Sequence, residues 1–139
     1  MSIVSSEQLA AFHATEYHVD AANGSFILRV GEHSPALQQL HEAHGAISSA
    51  YLTAWNPLGE IVSPDRNAES QTGLQHDLDD LHITAVQGEG RDPSSNWTEQ
   101  SLLAVGLSRE QAVALGNKYQ QLAILFSGID AVPQLVLLR

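Results

Sequence analysis

Four helix starts are legible in this chain, and they constrain its folding more than any other feature. Ser5-Ser6-Glu7-Gln8 and Ser108-Arg109-Glu110-Gln111 both place a glutamine three residues after a serine, the reciprocal pattern of a capping box. Ser34-Pro35 and Ser63-Pro64 pair a capping serine with a proline at the first helical position, where its missing N–H costs nothing. Between these starts lie short apolar runs too brief for helices. SFILRV (25–30) follows the turn signal Asn23-Gly24, and SAYLTAW (49–55), ITAVQG (83–88), SLLAVGL (101–107), LAILFSG (122–128) and QLVLLR (134–139) complete the set. A chain of 139 residues organised this way is one α+β domain.

The helix stripes follow. The helix after Ser5 runs to about Thr15 and is expected to bury Leu9 and Phe12. The helix after Ser34 carries Leu37 and Leu40 and stops near Gly45. The one after Ser63 runs to about Leu81 with Leu74, Leu78 and Leu81 on one stripe, and the one after Ser108 turns Ala112, Leu115 and Tyr119 inward. From residue 49 the order is strand, helix, strand, strand, helix, strand, the order of a split βαβ (ferredoxin-like) core over 49–128. Residues 1–48 become an N-terminal helix-strand-helix embellishment, and 129–139 a C-terminal strand that pairs back as a hairpin. An open α/β sheet is the alternative.

The crossover rule makes strands 49–55 and 83–88 parallel, so both end at the same edge of the fold. That edge collects the Trp55-Asn56-Pro57 loop, the helix start at Ser63, the segment 88–100 and the helix end at Lys118. Three of the six basic residues, Arg66, Arg91 and Lys118, map there. Asn56 and Asn67 can donate and accept, and Trp55 and Trp97 can stack on a ring. Gln121 follows the last helix. Glu99 and Asp92 are the carboxylates suited to acid or base chemistry, with Arg66 and Arg91 as partners that would keep Glu99 ionised. Each residue also has a plain structural role open to it: Trp55 as a core aromatic, Asn56-Pro57 as a turn, Arg91-Asp92 as a surface ion pair.

Composition excludes several classes. The formal net charge of −10, from sixteen acidic and six basic residues, argues against nucleic acid and against anionic membrane surfaces. There is no cysteine, so disulfides and thiolate metal sites are absent. The N-terminal stretch has no basic region followed by a long apolar run, and no signal peptide is expected. His41 and His44 are three apart on a helix, but neither they nor the other five histidines have a third-ligand spacing, so no metal site is assigned. No motif names a cofactor.

The stretch from about Ala50 to Gly128 resembles a family of short bacterial proteins classed as a domain of unknown function. The residues that carry the resemblance are Thr53-Ala54-Trp55-Asn56-Pro57, Asn67, Gly88-Glu89-Gly90-Arg91-Asp92-Pro93, Trp97, Glu99, Ser101, Gly106-Leu107-Ser108-Arg109-Glu110 and Gln121-Leu122-Ala123-Ile124. The resemblance implies a bacterial, cytoplasmic protein and no particular activity. The family pattern has an aromatic, a glycine and a glutamine where this chain has Tyr119-Gln120-Gln121, so a different backbone is expected near 120.

The functional expectation is a domain binding a small anionic or nucleotide-like molecule at that edge. The alternatives are a hydrolase or transferase using Glu99 or Asp92, and a module that contacts another protein through the same loops. Oligomeric state is left open.

Overall fold

The computed structural model describes residues 4–22 and 24–139. Asn23, half of the expected turn signal, lies outside the described residues. The elements in chain order are α1 (Ser6–Ala14), β1 (Glu16–Ala21), β2 (Gly24–Leu28), α2 (Pro35–Ala43), β3 (Ser49–Leu52), a 3-10 turn (Pro57–Gly59), α3 (Pro64–Asp80), β4 (Thr84–Arg91), β5 (Thr98–Val105), α4 (Arg109–Lys118), β6 (Ala123–Ser127) and β7 (Gln134–Leu137).

All four helix starts form as the caps dictate. Ser5 and Ser108 make reciprocal capping boxes with Gln8 and Gln111, and Ser34 and Ser63 accept from Leu37 and Arg66 backbone N–H groups. Each cap is worth about 1 kcal/mol.

The seven strands form one sheet in the order β2-β1-β4-β5-β3-β6-β7, every neighbouring pair antiparallel. β3 and β4 flank β5 and each runs antiparallel to it, so they point the same way and end at the same edge.

Side-chain alternation sorts the core into two layers. Ala50, Leu52, Leu102, Ala104 and Ile124 face α3 and α4, where Leu74, Leu78, Ala112 and Leu115 are buried. Tyr51, Leu103, Val105 and Leu125 face the other way, toward Leu37 of α2 and toward Tyr17 and Val19 of β1. Every residue of β3 is buried, which explains why SAYL is apolar or small throughout: it is covered on both faces. Full burial of Leu74 and Leu78 contributes about 1.5–3 kcal/mol each.

Several sequence expectations need correction. β1 was not expected. Only Tyr17 and Val19 of its six residues are buried, so its apolar pattern is too short to read, and its pairing with β2 and β4 holds it in the sheet. No residue of α1 is buried: Leu9 is exposed and Phe12 half-buried. β4 and β5 extend further than expected, to Arg91 and from Thr98, so Glu89, Gly90, Arg91 and Glu99 sit on strands and only 92–97 is a turn. His41 is buried against Ser49 Oγ at 2.8 Å while His44 is an exposed helix cap; burial lowers the His41 pKa. Among the described residues no helix is long and apolar enough to cross a membrane.

Candidate functional site

The strand that ends in Trp55-Asn56-Pro57 stops earlier than its apolar run, at Leu52, because side chains take over its backbone. Thr53 Oγ1 donates to the Gln100 carbonyl at 2.6 Å and accepts from the Trp55 N–H at 3.0 Å. The Ala54 N–H donates to Gln71 Oε1 at 2.9 Å. Gln121 Nε2 donates to the Trp55 carbonyl at 3.2 Å. Asn56 then turns the chain in the left-handed region at φ 46°, a conformation asparagine tolerates better than most residues, and Leu58 follows at φ 56°. The Leu58 N–H donates to the Gln120 carbonyl at 2.7 Å. A segment without ladder bonds is thus pinned from three sides.

The buried face of α3 supplies much of that hold. Asn67, Gln71, Leu74 and Leu78 are its buried residues, four and three apart along one helical stripe. Asn67, 2 % exposed, accepts from the Asn56 N–H and donates to Asn56 Oδ1, both at 2.8 Å. Asn56 Oδ1 also accepts from the Val62 N–H at 3.3 Å. With its carbonyl oxygen engaged twice, the Asn56 amide has its Nδ2 directed at Glu99 Oε2, 3.5 Å away. Gln71 was missed in the sequence reading. The signal was there: a polar residue four after Asn67 and three before Leu74, on the stripe that continues as Leu74 and Leu78.

Glu99 is half-buried on β5, and its register partner is Gly90 on β4. Burial pushes its carboxyl up to about 7, against the lowering effect of the Asn56 donor. The expected arginine partners do not reach it: Arg91 Nε is bound to Glu89 Oε1 at 2.6 Å, and Arg66 lies on the exposed first turn of α3. Lys118 binds Asp77 Oδ2 at 2.7 Å, well down α3.

A cleft of about 650 Å³ opens between α1, the 55–61 segment and the β4–β5 turn. It is lined by Trp55, Asn56, Asp92, Trp97, Glu99 and Gln121 from the expected set, together with Glu7, Gln8, Phe12, Thr15 and small residues of α1. Its size is that of small-molecule sites in general. A second cavity of about 70 Å³ adjoins it, bounded by Tyr17, Tyr51, Gly90 and Ser101, with Phe12, Thr15, Trp97, Glu99 and Gln121 on both. Among the described residues no lysine or arginine lines either space. Asn67 lines neither and acts through Asn56. Asp92 is occupied in its own turn: it accepts from the Ser94 N–H at 2.9 Å and from Ser94 Oγ at 2.8 Å, bonds that lower its pKa.

The two glycines of the Gly88-Glu89-Gly90 motif have distinct tasks. A Cβ at Gly88 would meet the His18 carbonyl oxygen and the Tyr51 hydroxyl, the two atoms that hydrogen-bond across it at 2.8 Å. A Cβ at Gly90 meets only Thr15 Cγ2 at 3.6 Å, so this glycine leaves space opposite Glu99.

The segment that builds this site, residues 52–124, matches the family model described as a protein of unknown function, DUF3293. This chain belongs to that family. The match spans more than half of the chain, begins at the last residue of β3 and contains α3, β4, β5 and α4 with all the residues of the Asn56–Asn67–Glu99 network. No curated protein and no solved structure matches the chain. α1, which closes the cleft in this DUF3293 protein, lies outside the matched segment, so the network belongs to the family region and part of the wall does not.

Proposed function

We propose that this chain binds a small molecule in the cleft beneath α1, with Glu99 as its polar anchor. One observation carries the reading. A chain of amides, from buried Asn67 to half-buried Asn56 to Glu99, orients a carboxylate whose only donor among the described residues is 3.5 Å away and which otherwise faces open volume. Orienting a side chain through locked neighbours is how binding sites are made precise. The expected preference for an anion loses its basis, because Arg66, Arg91 and Lys118 do not line the cleft.

A second reading, acid–base catalysis by Glu99, draws on its titration near neutrality, where a group can both release and take up a proton. Asp92 is a weaker candidate for that role, since its Ser94 bonds hold it ionised. The split βαβ (ferredoxin-like) reading of β3–α3–β4–β5–α4–β6 is supported by the order β4-β5-β3-β6 and by the shared direction of β3 and β4.

Thermal-shift screening of wild type and Glu99→Gln against a metabolite library tests binding. A ligand of this cleft raises the wild-type midpoint and leaves the Glu99→Gln midpoint nearly unmoved. Hits that shift both proteins equally place the ligand elsewhere.

A further inference from the structure

We propose that the cleft takes a flat ring carrying a small cationic or N–H-donating head group, in class an aryl amidine or amino-heteroaromatic, with the head group on Glu99 and the ring against Trp55 and Trp97. This rests on the reading of the cleft as a small-molecule site and names the class of molecule.

Three observations converge on that class. The first is charge. The acidic residues lining the cleft are Glu7, Asp92 and Glu99, and no lysine or arginine among the described residues balances them. An anion would meet like charge in a partly desolvated space, where repulsion is stronger than in water. A cation would meet attraction, and indole faces add to it.

The second is the unfilled capacity of Glu99. A carboxylate offers two acceptor oxygens, and among the described residues only Oε2 has a donor, Asn56 Nδ2 at the long distance of 3.5 Å. A head group with two N–H donors in a plane matches a carboxylate in the bidentate manner.

The third is the shape of the space around Glu99. This residue stands where the wide cleft meets the small cavity, and it faces Gly90 across the β4–β5 pair. The small cavity, about 70 Å³, is roughly half the ~150 Å³ hollow that takes up a benzene ring. It admits a substituent and excludes the ring, which stays in the outer cleft with the aromatic walls.

The chain has two tryptophans, Trp55 and Trp97, and both line the cleft, so intrinsic fluorescence reports its occupancy directly. The full chain is titrated with benzamidine and 2-aminobenzimidazole, and in parallel with benzoate, which keeps the ring and reverses the charge. The expected result is a saturable emission change with the two donor compounds and none with benzoate. Glu99→Gln weakens benzamidine at least tenfold. Gly90→Ala, whose Cβ makes an ordinary contact with Thr15, keeps the fold and weakens benzamidine by narrowing the space opposite Glu99. Should Glu99→Gln fold poorly by circular dichroism, Gly90→Ala alone decides that arm. Benzoate binding as tightly as benzamidine overturns the ligand class and leaves the cleft a binding site. Unchanged benzamidine affinity in the variants overturns the role given to Glu99. No saturable response to either donor compound overturns the class, and if the metabolite screen is also silent the binding reading falls with it.

Discussion

Asn56 and Asn67 hold each other through two hydrogen bonds of 2.8 Å, one from the Asn56 backbone N–H to Asn67 Oδ1 and one from Asn67 Nδ2 to Asn56 Oδ1. The pair joins the left-handed corner after β3 to the first turns of α3. It also decides which atom of Asn56 faces Glu99. Truncation therefore reaches the cleft without touching it. Asn67→Ala leaves the Asn56 N–H without this partner and is expected to cost about 1–3 kcal/mol of stability in chemical denaturation. It also frees the Asn56 amide to rotate, so any ligand that depends on Glu99 binds more weakly to the folded variant. A variant of wild-type stability would show that the pair contributes nothing net.

Glu99 ties stability to pH in a defined direction. Its carboxyl is raised to about 7 in the folded chain, from an ordinary value of 4.5. Below about pH 4.5 it is protonated in both folded and unfolded chains, and its contribution is fully present. As pH rises through 4.5 toward 7 the unfolded chain releases this proton and the folded chain retains it, so stability is lost across that window. Glu99→Gln removes the loss. The variant is expected to be near wild type at pH 4 and more stable at pH 8, by a margin on the order of 1–3 kcal/mol. Urea denaturation of both proteins at several pH values measures the difference. A difference independent of pH would place the Glu99 carboxyl at an ordinary acidity.

Gln120 occupies the left-handed region at φ 55°, just beyond the last turn of α4. This is a conformation that glycine favours, held here by a side chain that does not. The side chain is exposed, so glycine removes no buried contact. Gln120→Gly is expected to stabilise the fold by about 0.5–1 kcal/mol, the relief of left-handed strain less the greater unfolded freedom of glycine. A small rise in thermal midpoint checks this, and a fall would mean that Gln120 makes interactions worth more than its strain.

The sequence by itself determined where helices begin, because a cap is a contact between residues three apart and is complete before any tertiary structure exists. It also determined that β3 and β4 end at one edge, since a helix between two strands carries the chain back to the edge where the first began. Tertiary structure decided how the residues at that edge are used. Arg91 was read in a loop and offered to Glu99; on a strand it shares a face with Glu89, two residues earlier, and that neighbour takes it. Asn67 was offered to a ligand; the helix turns it inward, where Asn56 satisfies it. β1 left little trace in the sequence, because its place depends on β2 and β4, the latter some seventy residues away. Local geometry can be read from local sequence, whereas which donor meets which acceptor depends on burial and on partners that only the folded chain brings within about 3 Å.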